Sequence, residues 1–213
     1  MVLTIISDTH QLHREVDVPN GDILIHAGDW TMFSKSLSAI EDFNEWLGEQ
    51  PHTQKLVIPG NHEFVLEADP SRRSLLDNAT VLIDEAITID GLNFYGSPMT
   101  PLCGGAFGRS SPEDREQRWA KVPDDTHVLI CHGPPYGVLD RSPGQEQHMG
   151  DPELLVRCKQ LSNLRLVCFG HVHGAYGMEE RDSVLYVNAA LMGTEGALDH
   201  SPVVLRMEEK DGA

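Results

Sequence analysis

Five times in this chain a short, apolar and largely β-branched run stops abruptly at Asp, Asn or His beside glycine. Val2–Ile6 leads into Ser7-Asp8-Thr9-His10, and Asp22–Ala27 into Gly28-Asp29. Lys55–Pro59 leads into Gly60-Asn61-His62-Glu63, Val128–Cys131 into His132-Gly133-Pro134-Pro135, and Leu164–Phe169 into Gly170-His171-Val172-His173. Continuous apolar runs bounded by turn residues suit strands buried on both faces. Helical patterns separate several of them. Ile40, Phe43, Trp46 and Leu47 share one face of a helix predicted over about 36–50. Ser111-Pro112-Glu113 reads as the cap, first-position proline and acidic first turn of a helix to about 121, and Pro152–Leu161 as a third helix. Such alternation predicts an α/β fold with its polar residues at the carboxyl ends of the strands, where these sheets bind ligands. Val184–Val187 and Val203–Met207 read as plain strands, and Ala79–Ile89 with the Asp90-Gly91 turn as antiparallel pairing. The expected architecture is two stacked mixed β-sheets flanked by helices, one domain over 1–213.

The residues at the five strand ends are Asp8, His10, Asp29, Asn61, His62, His132, His171 and His173. They are oxygen and nitrogen donors without a thiolate, a set suited to Mn, Fe, Zn, Co or Ni rather than to a structural cysteine-zinc site. Asp8/His10 and His171/His173 are i, i+2 pairs, whose side chains point to one side of an extended segment. That is more donors than one ion uses, so a pair of metals about 3.5–4 Å apart, sharing a carboxylate, is expected.

Composition narrows the partners. Sixteen Lys and Arg against 33 Asp and Glu leave a net charge of −17, which opposes binding to duplex nucleic acid or an anionic membrane. None of the four cysteines forms a CxxC pair, and Cys131 and Cys168 lie inside apolar runs as buried thiols do. Met1–Ile6 runs straight into Ser7-Asp8 with no basic leader segment, so a cytoplasmic protein is expected.

Taken together, Asp8-x-His10, Gly28-Asp29, Gly60-Asn61-His62-Glu63, His132-Gly133 and Gly170-His171-x-His173 resemble the calcineurin-like metallophosphoesterase superfamily. Cys131–Pro135, Phe94-Tyr95-Gly96-Ser97-Pro98 and Gly170–Gly177 resemble its small metallophosphoesterase-domain-containing branch, which is class III cyclic-nucleotide-phosphodiesterase-like. The resemblance implies a four-layer αββα sandwich and a phosphodiesterase for small phosphodiesters such as cyclic nucleotides. It implies two divalent metal ions, with Mn first and Fe, Zn, Co or Ni as alternatives. Asp8, His10 and His173 would bind one metal, Asn61, His132 and His171 the other, and Asp29 would bridge. A metal-bridging hydroxide would attack phosphorus, while His62 contacts the phosphate and protonates the leaving oxygen.

Other residues carry weaker expectations. Within the irregular Gly-rich segment 97–111, Phe107 is a candidate for stacking on a base and Arg109 for touching phosphate, with Tyr136 a second stacking candidate and His13 at the rim. His26 reads as a core histidine able to orient a ligand, Glu63 as a supporting carboxylate or a first-turn acid, and His52, His127, His148 and His200 as surface residues. A phosphomonoesterase or protein phosphatase is the alternative, but Trp30-Thr31-Met32 follows Gly28-Asp29 where that family has an Asp-Arg-Gly tail, and Pro59 precedes Gly60 where it has Arg. A non-catalytic scaffold of the same fold is the third reading.

Overall fold

The computed structural model describes residues 1–33, 36–101 and 104–207; Cys103 and the tail after Met207, expected to fray, lie outside the described residues. The first sheet takes its parallel strands from the N-terminal part of the chain: β1 (Val2–Ile6), β2 (Ile23–His26), β3 (Gln54–Val57) and the short β4 (Thr80–Val81). The chain then crosses to a second sheet through β5 (Glu85–Ile89) and β6 (Leu92–Ser97), and makes a two-strand excursion, β7 (Thr100–Pro101) with β8 (Gly108–Arg109). It returns as β9 (Val128–Cys131), β10 (Leu166–Phe169), β11 (Gly177–Arg181) and β12 (Val184–Asn188). Finally β13 (Val203–Arg206) pairs antiparallel with β1 and closes the first sheet. The second sheet has the order β11-β12-β10-β9-β6-β5, parallel in its middle and antiparallel at both edges.

Three apolar layers explain why the strands read as unbroken hydrophobic runs. Leu3, Ile5, Ile23, Ile25 and Leu56 of the first sheet face Phe94, Val128, Ile130, Leu166 and Cys168 of the second. The outer face of the first sheet, through Ile6, Leu24 and Val57, is covered by α1 (Leu37–Glu49) and α2 (Phe64–Ala68). Leu129, Cys131, Val167 and Phe169 on the outer face of the second sheet meet α3 (Pro112–Trp119) and α4 (Pro152–Gln160). The result is the expected αββα sandwich. Ser111 and Asp151 cap α3 and α4, accepting from Asp114 N (3.3 Å) and Glu153 N (3.0 Å).

The Asp90-Gly91 turn joins β5 antiparallel to β6 as expected, but 79–89 is split between the sheets: Thr80–Val81 extends the first and Glu85–Ile89 the second. Asp84, in the left-handed region (φ 55°), lies between them where the chain crosses.

Register decides where the polar residues emerge. Ile6 pairs with His26 and His26 with Val57, so β1, β2 and β3 end level; in the other sheet Cys168 pairs with Ile130 and Ile130 with Gly96. Both sheets therefore release their ligand-bearing loops at one end of the sandwich.

Candidate metal centre

The backbone at these strand ends is unusual. Asp8 (φ 53°), His10 (φ 42°), Asp29 (φ 56°) and His171 (φ 67°) all adopt left-handed conformations, which turn the chain sharply just beyond each strand. The loops after β1 and β2 are stitched together by Asp8 N to Gly28 O (2.9 Å) and His10 N to Asp29 O (3.0 Å). Glycine is required where they approach: a Cβ on Gly170 would lie 1.9 Å from Asp8 Oδ2, and one on Gly60 2.2 Å from Asp29 Oδ1.

Seven of the strand-end side chains meet in two adjoining sets. Asp8 Oδ1 is 3.3 Å from His173 Nε2 and 3.8 Å from His10 Nε2, and these two ring nitrogens are 3.2 Å apart. Asn61 Oδ1 is 2.9 Å from His132 Nε2 and 2.8 Å from His171 Nδ1, while Asp29 Oδ2 lies 3.2 Å from His132 Nε2. Asp29 also reaches the first set, 4.0 Å from His10 Nε2. Asp8, His10 and His173 form one group with ligand atoms within 4.8 Å of one another, and Asp29, His132 and His171 a second.

These donor atoms fit a bound cation. His132 Nδ1 faces the Ala27 carbonyl (2.9 Å) and His10 Nδ1 the Thr31 carbonyl (3.1 Å). A ring nitrogen against a carbonyl carries the proton, so in each neutral ring Nε2 presents a lone pair to the site. His132 Nε2 then points its lone pair at Asn61 Oδ1 and Asp29 Oδ2, which only a proton or a metal ion can reconcile. The buried Asp8 Oδ1 accepts no hydrogen bond. Burial opposes charge on His132, yet the Asp29 carboxylate pulls its pKa up to about 10: left to itself, the chain holds a proton there. Burial lowers His171 to about 4. Asp8 is held far below the usual carboxylate range, despite its burial, by His173, His132 and His10.

Glu63 resolves as a supporting carboxylate. It accepts from the main-chain N–H of Asp29 (3.1 Å), Thr31 (2.9 Å) and Gly60 (2.6 Å) and from the Thr31 hydroxyl (2.8 Å). It thereby locks the Asp29 loop to the Asn61 loop. Burial, and then Asp29, raise its pKa to about 8. The G-N-H-E run was its signal in the sequence. His26 is a core histidine as expected; the group it touches is Thr9 (Nε2 to Oγ1, 3.0 Å), between the ligands Asp8 and His10.

Of the weaker expectations, several need correction. His13 does not line the rim: it is fully buried against Phe43 and Trp46, with Nε2 2.9 Å from Asp42. Phe107 is packed into the layer under α1 and α2 rather than free to stack on a base. Arg109 is engaged by Glu67 (3.4 Å), Asp114 (3.5 Å) and the Gly108 carbonyl (2.8 Å). His52 is buried against the Pro19 carbonyl, and His127, His148 and His200 are half-buried rather than open surface. Tyr136 stays exposed, its ring 4.6 Å from that of His148. The Gly-rich segment does touch the centre: Ala106 N donates to Asn61 O (2.8 Å), and Gly105 packs so closely that a Cβ would lie 2.6 Å from Asn61.

An αββα sandwich that gathers Asp, Asn and His donors from both sheets at one end has the architecture and donor set of a metallophosphoesterase. The chain belongs to the calcineurin-like phosphoesterase family, whose match covers residues 1–175. It is 34% identical over 225 residues to human metallophosphoesterase domain-containing protein 1, covering 94% of this chain and 69% of that protein. It is 36% identical over 220 residues to a UPF0046 protein of Caenorhabditis elegans, covering 96% and 74%. Among solved structures, the protein TT1561 of Thermus thermophilus shares the fold at a TM-score of 0.59 and 14% identity, over 88% of each chain. Among the described residues no helix is long and apolar enough to cross a membrane.

Proposed function

We propose that this chain is a dimetal-dependent phosphoesterase whose preferred substrates are small phosphodiesters, with cyclic nucleotides first among them. The observation that carries the reading is the convergence of lone-pair donors from both sheets on two adjoining points. Asp8, His10 and His173 would hold one divalent ion, Asn61, His132 and His171 a second, and Asp29 would serve both. Two such ions, Mn²⁺ being our first choice, supply charge neutralisation for phosphoryl oxygens and a water acidic enough to act as nucleophile near neutral pH. The chain itself contributes His62 at the edge of the centre, with Nε2 3.7 Å from Asp29 Oδ2, placed to give a proton to the leaving oxygen. Exposed Tyr136 is the remaining stacking candidate.

The preference for diesters is supported by what surrounds the centre. Arg109 is occupied by two carboxylates, Trp30-Thr31-Met32 stands where the phosphatase pattern has Asp-Arg-Gly, and Pro59 stands where it has Arg. Among the described residues a dianionic monoester thus finds no guanidinium clamp at these positions, whereas a monoanionic diester needs less positive charge. Three free, buried thiols, Cys131, Cys158 and Cys168, support a reducing, cytoplasmic setting.

The test is chelated, metal-stripped protein resupplied with Mn²⁺ and given bis-p-nitrophenyl phosphate beside p-nitrophenyl phosphate. Metal-dependent turnover favouring the diester is expected; preference for the monoester moves the assignment to a phosphatase, and metal binding without turnover of either moves it to a scaffold. In the same assay His62→Ala is expected to keep both metals and lose turnover by about 10²–10⁴-fold. Loss of a metal would instead make His62 a ligand.

A further inference from the structure

His62 lies close enough to His10 and Asp29 for the three to hold an ion together, so distance alone does not separate it from the ligands. Its hydrogen bond does. At His10 and His132 the Nδ1 atom faces a main-chain carbonyl, but at His62 the Nδ1 atom accepts from the Phe33 main-chain N–H (3.3 Å). A nitrogen that accepts is unprotonated, so the neutral ring carries its proton on Nε2, the atom facing Asp29. A protonated nitrogen has no lone pair to offer a metal. The polarity of one peptide group therefore separates His62, as a proton donor, from the ligands His10 and His132.

That peptide group is held by an unusual residue. Phe33 is left-handed (φ 49°), a costly conformation for a bulky side chain, and the residue is 56% exposed. Its ring nonetheless stacks on His62 with centroids 3.8 Å apart and planes 23° from parallel, while Phe64 makes only a tilted contact at 6.5 Å. Stacking on the imidazole is the contact that offsets the strain and keeps the N–H aimed at Nδ1.

We propose that Phe33 is the positioning residue that makes His62 a proton donor rather than a further metal ligand, its ring clamping the imidazole while its N–H selects the Nε2–H tautomer. The role of His62 on which this rests is the one proposed above; the tautomer itself is read without turnover. The experiment is two-bond ¹H–¹⁵N correlation NMR on ¹⁵N-histidine-labelled protein loaded with diamagnetic Zn²⁺, His62 being assigned by the signals lost in His62→Gln. In the wild type Nδ1 is expected at the unprotonated shift and Nε2 at the protonated one. Phe33→Gly, which permits the left-handed turn but deletes the ring, is expected to mix the tautomers and to lower kcat by about tenfold with KM little changed. Phe33→Tyr is expected to restore the wild-type nitrogen pattern. A pure Nε2–H tautomer in Phe33→Gly, or a metal-bound Nε2 in the wild type, overturns the proposal. If the wild type hydrolyses neither ester, the phosphoesterase reading falls, and the nitrogen shifts still decide the role of Phe33.

Discussion

Two of the charge clusters buried among the described residues are solved in opposite ways. Between α3 and α4, Arg115 donates to Asp151 (3.2 Å), to Glu153 (3.0 and 2.8 Å) and to the carbonyls of Arg109 and Ser110 (2.9 and 3.0 Å). Trp119 Nε1 completes the group with a bond to Asp151 Oδ2 (2.8 Å). Every charge there has its partner in the chain. At the strand ends, by contrast, the ion pairs described for Asp8 and Asp29 are all to histidines, and Asp8 Oδ1 has no hydrogen bond. The first cluster is a finished structural joint; the second has its donors converged and its positive charge left to be imported. Burying carboxylates without a fixed cation is costly, so the site must gain something that a built-in arginine would not give, namely open coordination for a substrate.

Removing the built-in cation should have the largest effect. Arg115→Ala leaves Asp151 and Glu153 without it and is expected to cost about 3–5 kcal/mol in urea unfolding, with metal stoichiometry unchanged in the protein that remains folded. If metal binding falls with stability, the two clusters are coupled. A smaller effect is expected from Glu63→Gln, where one amide oxygen replaces a carboxylate that accepts four hydrogen bonds. Metal affinity, measured by competition with a chelator, should weaken by about 10–100-fold. An unchanged affinity would show that the Asp29 loop is held by other contacts. The most gradual effect is a pH slope. Burial lowers His26 to about 3, so between that value and its ordinary 6.5 the unfolded chain binds a proton that the native chain does not. Stability from this residue is therefore complete above about pH 6.5 and is lost as pH falls, by about 1.4 kcal/mol per unit at most, and His26→Gln should flatten that slope in metal-stripped protein.

What was legible in the sequence follows the same division. The metal-centre donors stand out because each ends an apolar run, so strand register alone delivers them to one place. Local signals also carried α1 through apolar spacing, α3 through Ser111-Pro112, and α4 through the run that opens at Pro152. The Arg115 joint carries no such mark, since Arg115 meets Asp151 from 36 residues away across a helix pair. The burial of His13 depends on Asp42 and Trp46 of a helix that packs over it, and the split of 79–89 depends on a single turn at Asp84. Phe33 gave no sign of its role because a hydrogen-bond donor on the main chain is invisible in the residue type that bears it.

The left-handed turns at Asp8, His10, Asp29 and His171 have a consequence for how this protein is dissected. Asp, Asn and His tolerate that conformation better than alanine does, and glycine tolerates it freely. An alanine scan across the centre would therefore report two losses in one number, a missing donor and a disfavoured backbone. Pairing each alanine with a glycine at the same position separates them, and only the part that glycine fails to recover belongs to coordination.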